Sequence, residues 1–280
     1  MPFLAADLGN EIGAWDDKGI EVEIIEATSS TVGPTMASKQ ADISLQGGNR
    51  AVGDIVSGIE STLVAADLLP WDQYLIISNE SDATEAAELK NSTFGISGFG
   101  SAGHFATLAT TENLGWEEKK DFKIVQMGDL EGLLAGLESG TIDAFLWSIE
   151  PALTAEAKGF GKVLGSARDL VGPNVFEAFS VRDEFAEENP EAVQAFFEGY
   201  FEAVEEFQSD TEMTTQMVID EWKLDPKVAE RAVEEIVPIL STDGVIPPEN
   251  LDGLAEAVKV TVPDAKEFDI QEMYTFWKDL

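Results

Sequence analysis

Thr93-Phe94-Gly95-Ile96-Ser97, followed directly by Gly98-Phe99-Gly100-Ser101-Ala102-Gly103-His104, decides the fold class. The first five residues read as a short strand. The glycine-rich turn ends it, and a helix is predicted to begin near Ser101 or Ala102. Working outward, the same unit recurs. Upstream, Gly19-Ile20-Glu21-Val22-Glu23-Ile24-Ile25 alternates apolar and charged residues and predicts a strand. Ala41-Asp42-Ile43-Ser44-Leu45-Gln46 predicts another, ended by Gly47-Gly48. Thr62 to Ala66 and Tyr74 to Ser78 follow. Downstream, strands are predicted at Phe122 to Met127, Ala144 to Trp147, Lys162 to Leu164 and Phe176 to Val181. Short strands separated by helical stretches are the pattern of an α/β protein.

Beyond Val181 the chain turns helical. Asn189-Pro190 fits an N-cap followed by proline in the first helical position. Val193, Phe196, Phe197, Tyr200, Phe201, Val204 and Phe207 then recur at steps of three and four, one apolar helical face. Met213 to Trp222, Pro226 to Leu240, a segment opened by Pro247-Pro248 after a turn at Asp243-Gly244, and Phe268 to Leu280 are further predicted helices. A weak internal echo aligns Ala37-Ser38-Lys39-Gln40-Ala41-Asp42-Ile43 with Glu138-Ser139-Gly140-Thr141-Ile142-Asp143-Ala144. Each copy leaves a helix-like stretch, turns, and enters a strand with Asp at the same step. Two similar α/β lobes are expected.

Composition narrows the function. The 280 residues hold 54 Asp and Glu, 17 Lys and Arg, one His and no Cys, for a formal net charge of −37. A hydrophobic fraction of 44% supplies a core, and the length suggests about two domains. Disulfides, thiolate metal sites and cysteine nucleophiles are excluded, and one histidine excludes a multi-histidine metal centre. So negative a field repels phosphate backbones, which argues against nucleic acid. The acids run from Asp7 to Asp279 instead of forming one tail. That spread predicts a carboxylate-coated surface adapted to high salt, where the Debye length falls to about 3 Å. An ordinary acidic protein is the alternative.

No apolar run approaches the roughly 20 residues of a membrane span. Met1-Pro2-Phe3-Leu4-Ala5-Ala6-Asp7 lacks the charged start and apolar stretch of a signal peptide, so the chain as given is expected to be cytosolic or to have lost a leader.

Enzyme chemistry is hard to find. There is no Walker A sequence, the glycines of residues 95–100 do not match G-x-G-x-x-G, and no G-x-S-x-G elbow accompanies His104. Binding chemistry is easier. Ser101, Ala102, Gly103 and His104 stand where free backbone N–H groups could hold a ligand oxygen, although a plain N-capped turn reads the same way. Gln46, Gly47, Gly48 and Asn49 repeat the device at the end of another strand. Ligands of open α/β sheets bind beyond the carboxyl ends of strands, and two such loops could face one cleft. Trp147 follows a strand and Glu150 lies three residues on, so together they could stack on and hydrogen-bond a ligand. A core tryptophan and a surface acid are the plain alternatives.

At this point the chain resembles the substrate-binding proteins of ABC importers, most of all the branch that binds nitrate, sulfonates, taurine or thiamine-pyrimidine precursors. Leu4-Ala5-Ala6-Asp7-Leu8-Gly9 with Gly19-Ile20-Glu21-Val22-Glu23 resembles the opening helix and strand of that branch. Ala41-Asp42-Ile43 resembles its strand entry, and Glu88-Leu89-Lys90-Asn91-Ser92-Thr93-Phe94-Gly95-Ile96 is similar to its DLKGKxxGV pattern, with Asn91 where glycine is usual. Gly100-Ser101, Leu137-Glu138-Ser139-Gly140-Thr141-Ile142-Asp143-Ala144 and Glu188-Asn189-Pro190-Glu191-Ala192-Val193-Gln194-Ala195-Phe196 continue the likeness in order.

The resemblance implies a two-lobed periplasmic-binding-protein type II fold, each lobe a mixed sheet flanked by helices. Lobe I would hold residues 1–77 and 176–280, lobe II residues 78–175. It implies capture of a small solute between the lobes, delivery to ABC permease subunits, no reaction, no cofactor and no metal. A monomer outside the cytoplasm, anchored to the membrane in its full-length form, is expected. Family members also carry a leader and a first strand ahead of the opening helix, so lobe I is expected to lack a central strand here. A heteroaromatic solute would use Trp71, Trp147 and Glu150; an anion would want Arg50. The alternative is a thiamine-pyrimidine-precursor biosynthesis enzyme of the same fold, which usually carries a Cys-rich segment that this chain lacks. A solute-sensing receptor domain is a third class.

Overall fold

The computed structural model describes residues 3–27, 31–69, 71–262 and 267–280; the opening Met1-Pro2 lies outside them. The chain begins with helices α1 (Phe3–Ile12) and α2 (Val32–Ala37), then β1 (Ile43–Gly47), α3 (Gly48–Val56), β2 (Ser61–Leu68) and β3 (Tyr74–Ser78). There follow β4 (Thr93–Ile96), α4 (Ala102–Asn113), β5 (Lys123–Gln126), α5 (Leu130–Glu138), β6 (Ala144–Trp147), α6 (Ile149–Lys158) and β7 (Gly161–Ser166). The last part comprises α7 (Arg168–Val171), β8 (Glu177–Arg182), α8 (Asp183–Glu188), α9 (Pro190–Ser209), α10 (Thr211–Trp222), α11 (Pro226–Ile236) and α12 (Pro248–Thr261).

Two sheets result. One runs β1-β8-β2, with both pairings antiparallel; the other is mixed and runs β5-β4-β6-β3-β7. β3 pairs with β6 and β7, from Tyr74 opposite Trp147 to Ile77 opposite Ala144. A boundary at residue 77 would cut β3 away from its own sheet. The first crossing between sheets therefore lies between Leu68 and Tyr74, and the return precedes Glu177.

Two predicted elements are absent. Residues 19–25 form no strand. Ile20 and Val22 do pack on the core, but Ile24 and Ile25 are 41% and 48% exposed. Alternation alone cannot make a strand, because the backbone needs a paired neighbour. A cavity of about 390 Å³, lined by Ile24, Ile25, Ile43 and Leu45 among others, separates this segment from the free edge of β1. The terminal helix is also replaced, by two single 3-10 turns at Ile270–Met273 and Trp277–Asp279. Tertiary bonds hold the chain extended between them. Thr275 N donates to Leu63 O at 3.0 Å, and Trp277 Nε1 donates to Asp243 O at 2.8 Å while its ring packs on Phe197 and Phe201.

Helix α9 buries the predicted aromatic face. Phe197, Tyr200 and Phe207 are fully enclosed, and Phe179 of β8 meets Tyr200 edge-on at 4.8 Å. Asn189 precedes Pro190 as expected, but its side chain makes no cap bond. Its carbonyl instead accepts from Ala192 N and Val193 N.

The internal echo is longer than its two matching residues suggested. α2 ends at Ala37 and α5 at Glu138; β1 starts at Ile43 and β6 at Ala144; α3 starts at Gly48 and α6 at Ile149. These three boundaries each repeat 101 residues later, and Leu45 and Leu146 add a third identity. The turn hydrogen bonds repeat as well. Ser38 N, Lys39 N and Gln40 N bond to the carbonyls of Pro34, Met36 and Thr35; Ser139 N, Gly140 N and Thr141 N bond to those of Ala135, Leu137 and Gly136. Asp42 then holds Arg182 at the end of β8, and Asp143 accepts from Thr93 N at the start of β4.

Candidate functional site

The duplication places the proposed ligand loops in equivalent positions. Gln46 corresponds to Trp147, Gly47 to Ser148, Gly48 to Ile149 and Asn49 to Glu150. Each set ends a strand and opens a helix. In the first copy, Gly48 N donates to Phe176 O at 2.9 Å, and a side chain at Gly48 would collide with Val175 O. Asn49 Nδ2 donates to Thr261 Oγ1 at 3.2 Å. In the second, Trp147 is half-buried and packs on the main apolar core, while Glu150 sits in the first turn of α6.

The glycine-rich turn before α4 closes on itself. Ser101 is the N-cap and accepts from His104 N, while Gly100 N donates to His104 Nδ1 at 3.1 Å. Ser101 N donates to Gly98 O. Among the described residues this leaves the amides of Ala102 and Gly103 open at the helix start, half of the cradle expected from sequence. Burial pushes the His104 imidazole below its usual range, with Glu118 opposing more weakly. The turn meets α12, which packs on α3. A β-carbon on Gly100 would lie 2.6 Å from Thr261 O. Thr261 thus joins Asn49 and Gly100, bringing the starts of α3 and α4 to one place.

Other expected residues are committed within their own regions. Gln46 Nε2 reaches Asp54 Oδ2 at 3.4 Å and Ser44 Oγ at 3.5 Å. Arg50 pairs with Asp54 at 2.9 Å and is spent on its own helix. Trp71 is fully buried between Phe105 and Phe176. None of the expected site residues lines the 390 Å³ cavity or the open groove of about 660 Å³ beside α12.

Sequence reasoning missed a cluster of buried acids where the sheets meet. Asp67 is fully buried and Asp72 nearly so; Glu177 faces both, opposite Leu68 in the β2–β8 ladder. Burial raises Asp67 to about 7, against the lowering effect of the Tyr200 hydroxyl, which donates to it at 2.5 Å. Burial and the charge of Glu150 raise Asp72 to about 8. Burial and the charges of Asp67, Asp72 and Glu150 raise Glu177 to about 8. Arg168 lies beside them, donating to Trp71 O at 3.2 Å and Tyr74 Oη at 3.0 Å, with Asp72 4.0 Å away.

Solved structures share this architecture. The periplasmic aliphatic sulphonate binding protein SsuA of Escherichia coli superposes with a TM-score of 0.83 at 16% identity, over 96% of this chain and 87% of that one. A Candida albicans protein described as having the generic periplasmic binding protein fold gives 0.76 at 12% identity, over 97% and 92%. The periplasmic nitrate-binding protein NrtA of Synechocystis gives 0.64 at 18%, over 81% and 66%. The fold is therefore that of the periplasmic binding proteins. The family model described as NMT1/THI5 like matches residues 5–212, and the chain belongs to that family. No curated protein matches the sequence. Among the described residues no helix is long and apolar enough to cross a membrane.

Proposed function

We propose that this protein is the solute-binding component of an ABC importer, taking up a small solute between two lobes and passing it to permease subunits without transforming it. The observation that carries the reading is the meeting of the α3 and α4 starts at Thr261, which brings the loop after β1 and the loop after β4 together. Family membership and the sulfonate- and nitrate-binding proteins of the same fold support it. The lobes are residues 3–68 with 177–280, and 74–166, joined by the two crossings. By the same likeness the protein works outside the cytoplasm, and we propose that it acts as a monomer. The biosynthetic-enzyme alternative is not favoured by these neighbours.

A thermal-shift screen with sulfonates, nitrate and aminopyrimidines tests this, because a ligand that binds the native state raises its melting temperature. Recovered ligand should be chemically unchanged. Trp147→Ala should weaken binding about tenfold, roughly 1.4 kcal/mol, with the unliganded melting temperature nearly unmoved. Turnover of any bound compound would reject a pure binding role.

A further inference from the structure

The internal repeat says what the cavity of about 390 Å³ beside β1 is shaped to hold, independently of the solute-binding reading. The offset of 101 residues holds outside residues 37–49 as well. α1 ends at Ile12 and α4 at Asn113, and residues 22–25 are the counterparts of β5. The same offset carries β4, residues 93–96, to positions ahead of Met1, so β4 has no counterpart within the sequence.

In the second copy β4 lies between β5 and β6 and runs parallel to both. Gly95 pairs with Val125 on one side and Phe145 on the other. The counterparts of those two partners are Ile24 and Ser44, and both line the cavity. The packing face matches too. A β-carbon on Gly95 would stand 2.4 Å from Ile142 Cδ1 and 2.8 Å from Leu133 Cδ2. Their counterparts, Ala41 and Val32, line the cavity as well. The side chains around the cavity therefore correspond to those that hold a strand in the second copy. Both flanks are open to pairing: β1 is the edge of its sheet, and residues 19–25 form no strand. The N–H and C=O groups of such an edge are a template for another extended chain. Asp7, Glu26 and Glu221 also line the cavity, which suits an occupant with basic flanks.

We propose that this cavity is a docking site for a separate extended peptide of apolar strand-forming residues, which enters between residues 22–25 and β1, runs parallel to β1 and extends the three-stranded sheet. At the step equivalent to Gly95 the peptide carries a side chain. Ala41 and Val32 are shorter than Ile142 and Leu133, so the contact that demands glycine in β4 is relaxed here.

Peptide binding to the folded protein in molar KCl tests this. The probe is acetyl-Lys-Thr-Phe-Val-Ile-Lys-amide, the β4 sequence with valine for its glycine and lysine at each end. Titration calorimetry should show saturable binding, and hydrogen exchange should slow at the amides of residues 22–25 and of β1. Reversing the order of the four central residues should weaken binding at least tenfold. So should proline in place of the valine, because it cannot donate to the ladder. Glycine in place of the valine should weaken it about tenfold, through lost apolar burial. Ala41→Ile combined with Val32→Leu should invert that last preference, so that the glycine peptide binds better than the valine one. Protection confined to amides elsewhere, equal affinity of the reversed or proline peptide, or a valine preference that survives the double substitution would overturn the proposal. So would failure of the probe to bind. Protection of β1 that rises with protein concentration alone would make a second copy of the chain the occupant and overturn it as well.

Discussion

Residues 37–49 and 138–150 build one piece of structure twice, and the two copies end in different surroundings. In both, a helix closes on a left-handed turn, an Asp anchors the neighbouring strand, and a short strand hands the chain to the next helix. β6 is then flanked on both sides, by β4 and β3. β1 has β8 on one side and an open cavity on the other. Leu146 is 1% exposed, whereas its counterpart Leu45 is only half-buried and lines that cavity. Local sequence sets the turn and the direction of the strand. Pairing is set by what stands alongside.

Salt should separate the copies most. A net charge of −37 on so exposed a coat (the side chains of Asp17 and Glu117 are 82% and 70% exposed) repels itself when screening is weak. The Debye length grows from about 3 Å at 1 M to about 10 Å at 0.1 M. Far-UV circular dichroism should show loss of structure between 3 M and 0.05 M KCl. Hydrogen exchange on the way down should release the amides of β1 before those of β6. Equal melting temperatures at the two salt concentrations would remove the case for high-salt adaptation.

The second contrast is in packing. Leu146→Ala removes a side chain enclosed on all sides and should cost about 2–5 kcal/mol. Leu45→Ala, at the equivalent step of the edge strand, should cost about 1 kcal/mol, because part of its surface is already in water. Urea unfolding in constant KCl measures both. Equal losses would mean that the open side of β1 is as well packed as the covered side of β6.

What was legible in the sequence follows the same division. The eight strands were visible because each is a short apolar run bounded by turn residues. Residues 19–25 carried the same signal and failed, because no strand pairs with them among the described residues. Residues 268–280 were misread because Leu63, Asp243 and the α9 aromatics hold them, none of which is local. Of the candidate site, the loops at 46–49, 101–104 and 147–150 were placed by strand ends. Asp72 and Glu177 were not, since two acids among 54 carry no signal. Asp67 offered one, a charge inside the buried run Ala65-Ala66-Asp67-Leu68. Its meaning depends on Tyr200, 133 residues away.

The smallest effect lies in the turns themselves. Lys39 and Gly140 occupy equivalent positions with φ of 60° and 71°, each just past the end of a helix. Glycine meets no β-carbon penalty in that region, whereas a residue with a side chain loses about 1 kcal/mol. Lys39→Gly removes that strain but frees the unfolded chain, and it also breaks the exposed ion pair with Glu184, which is worth little at high salt. Its net gain should be a few tenths of a kcal/mol. Gly140→Ala should lose about 1 kcal/mol, with open space around the new methyl group and so no steric complication. Opposite signs in urea unfolding would show that both copies pay the same backbone cost and differ only in the residue that pays it. If both substitutions destabilised by similar amounts, the Lys39 side chain would be contributing more than its strain, and the two turns would no longer be energetic equivalents.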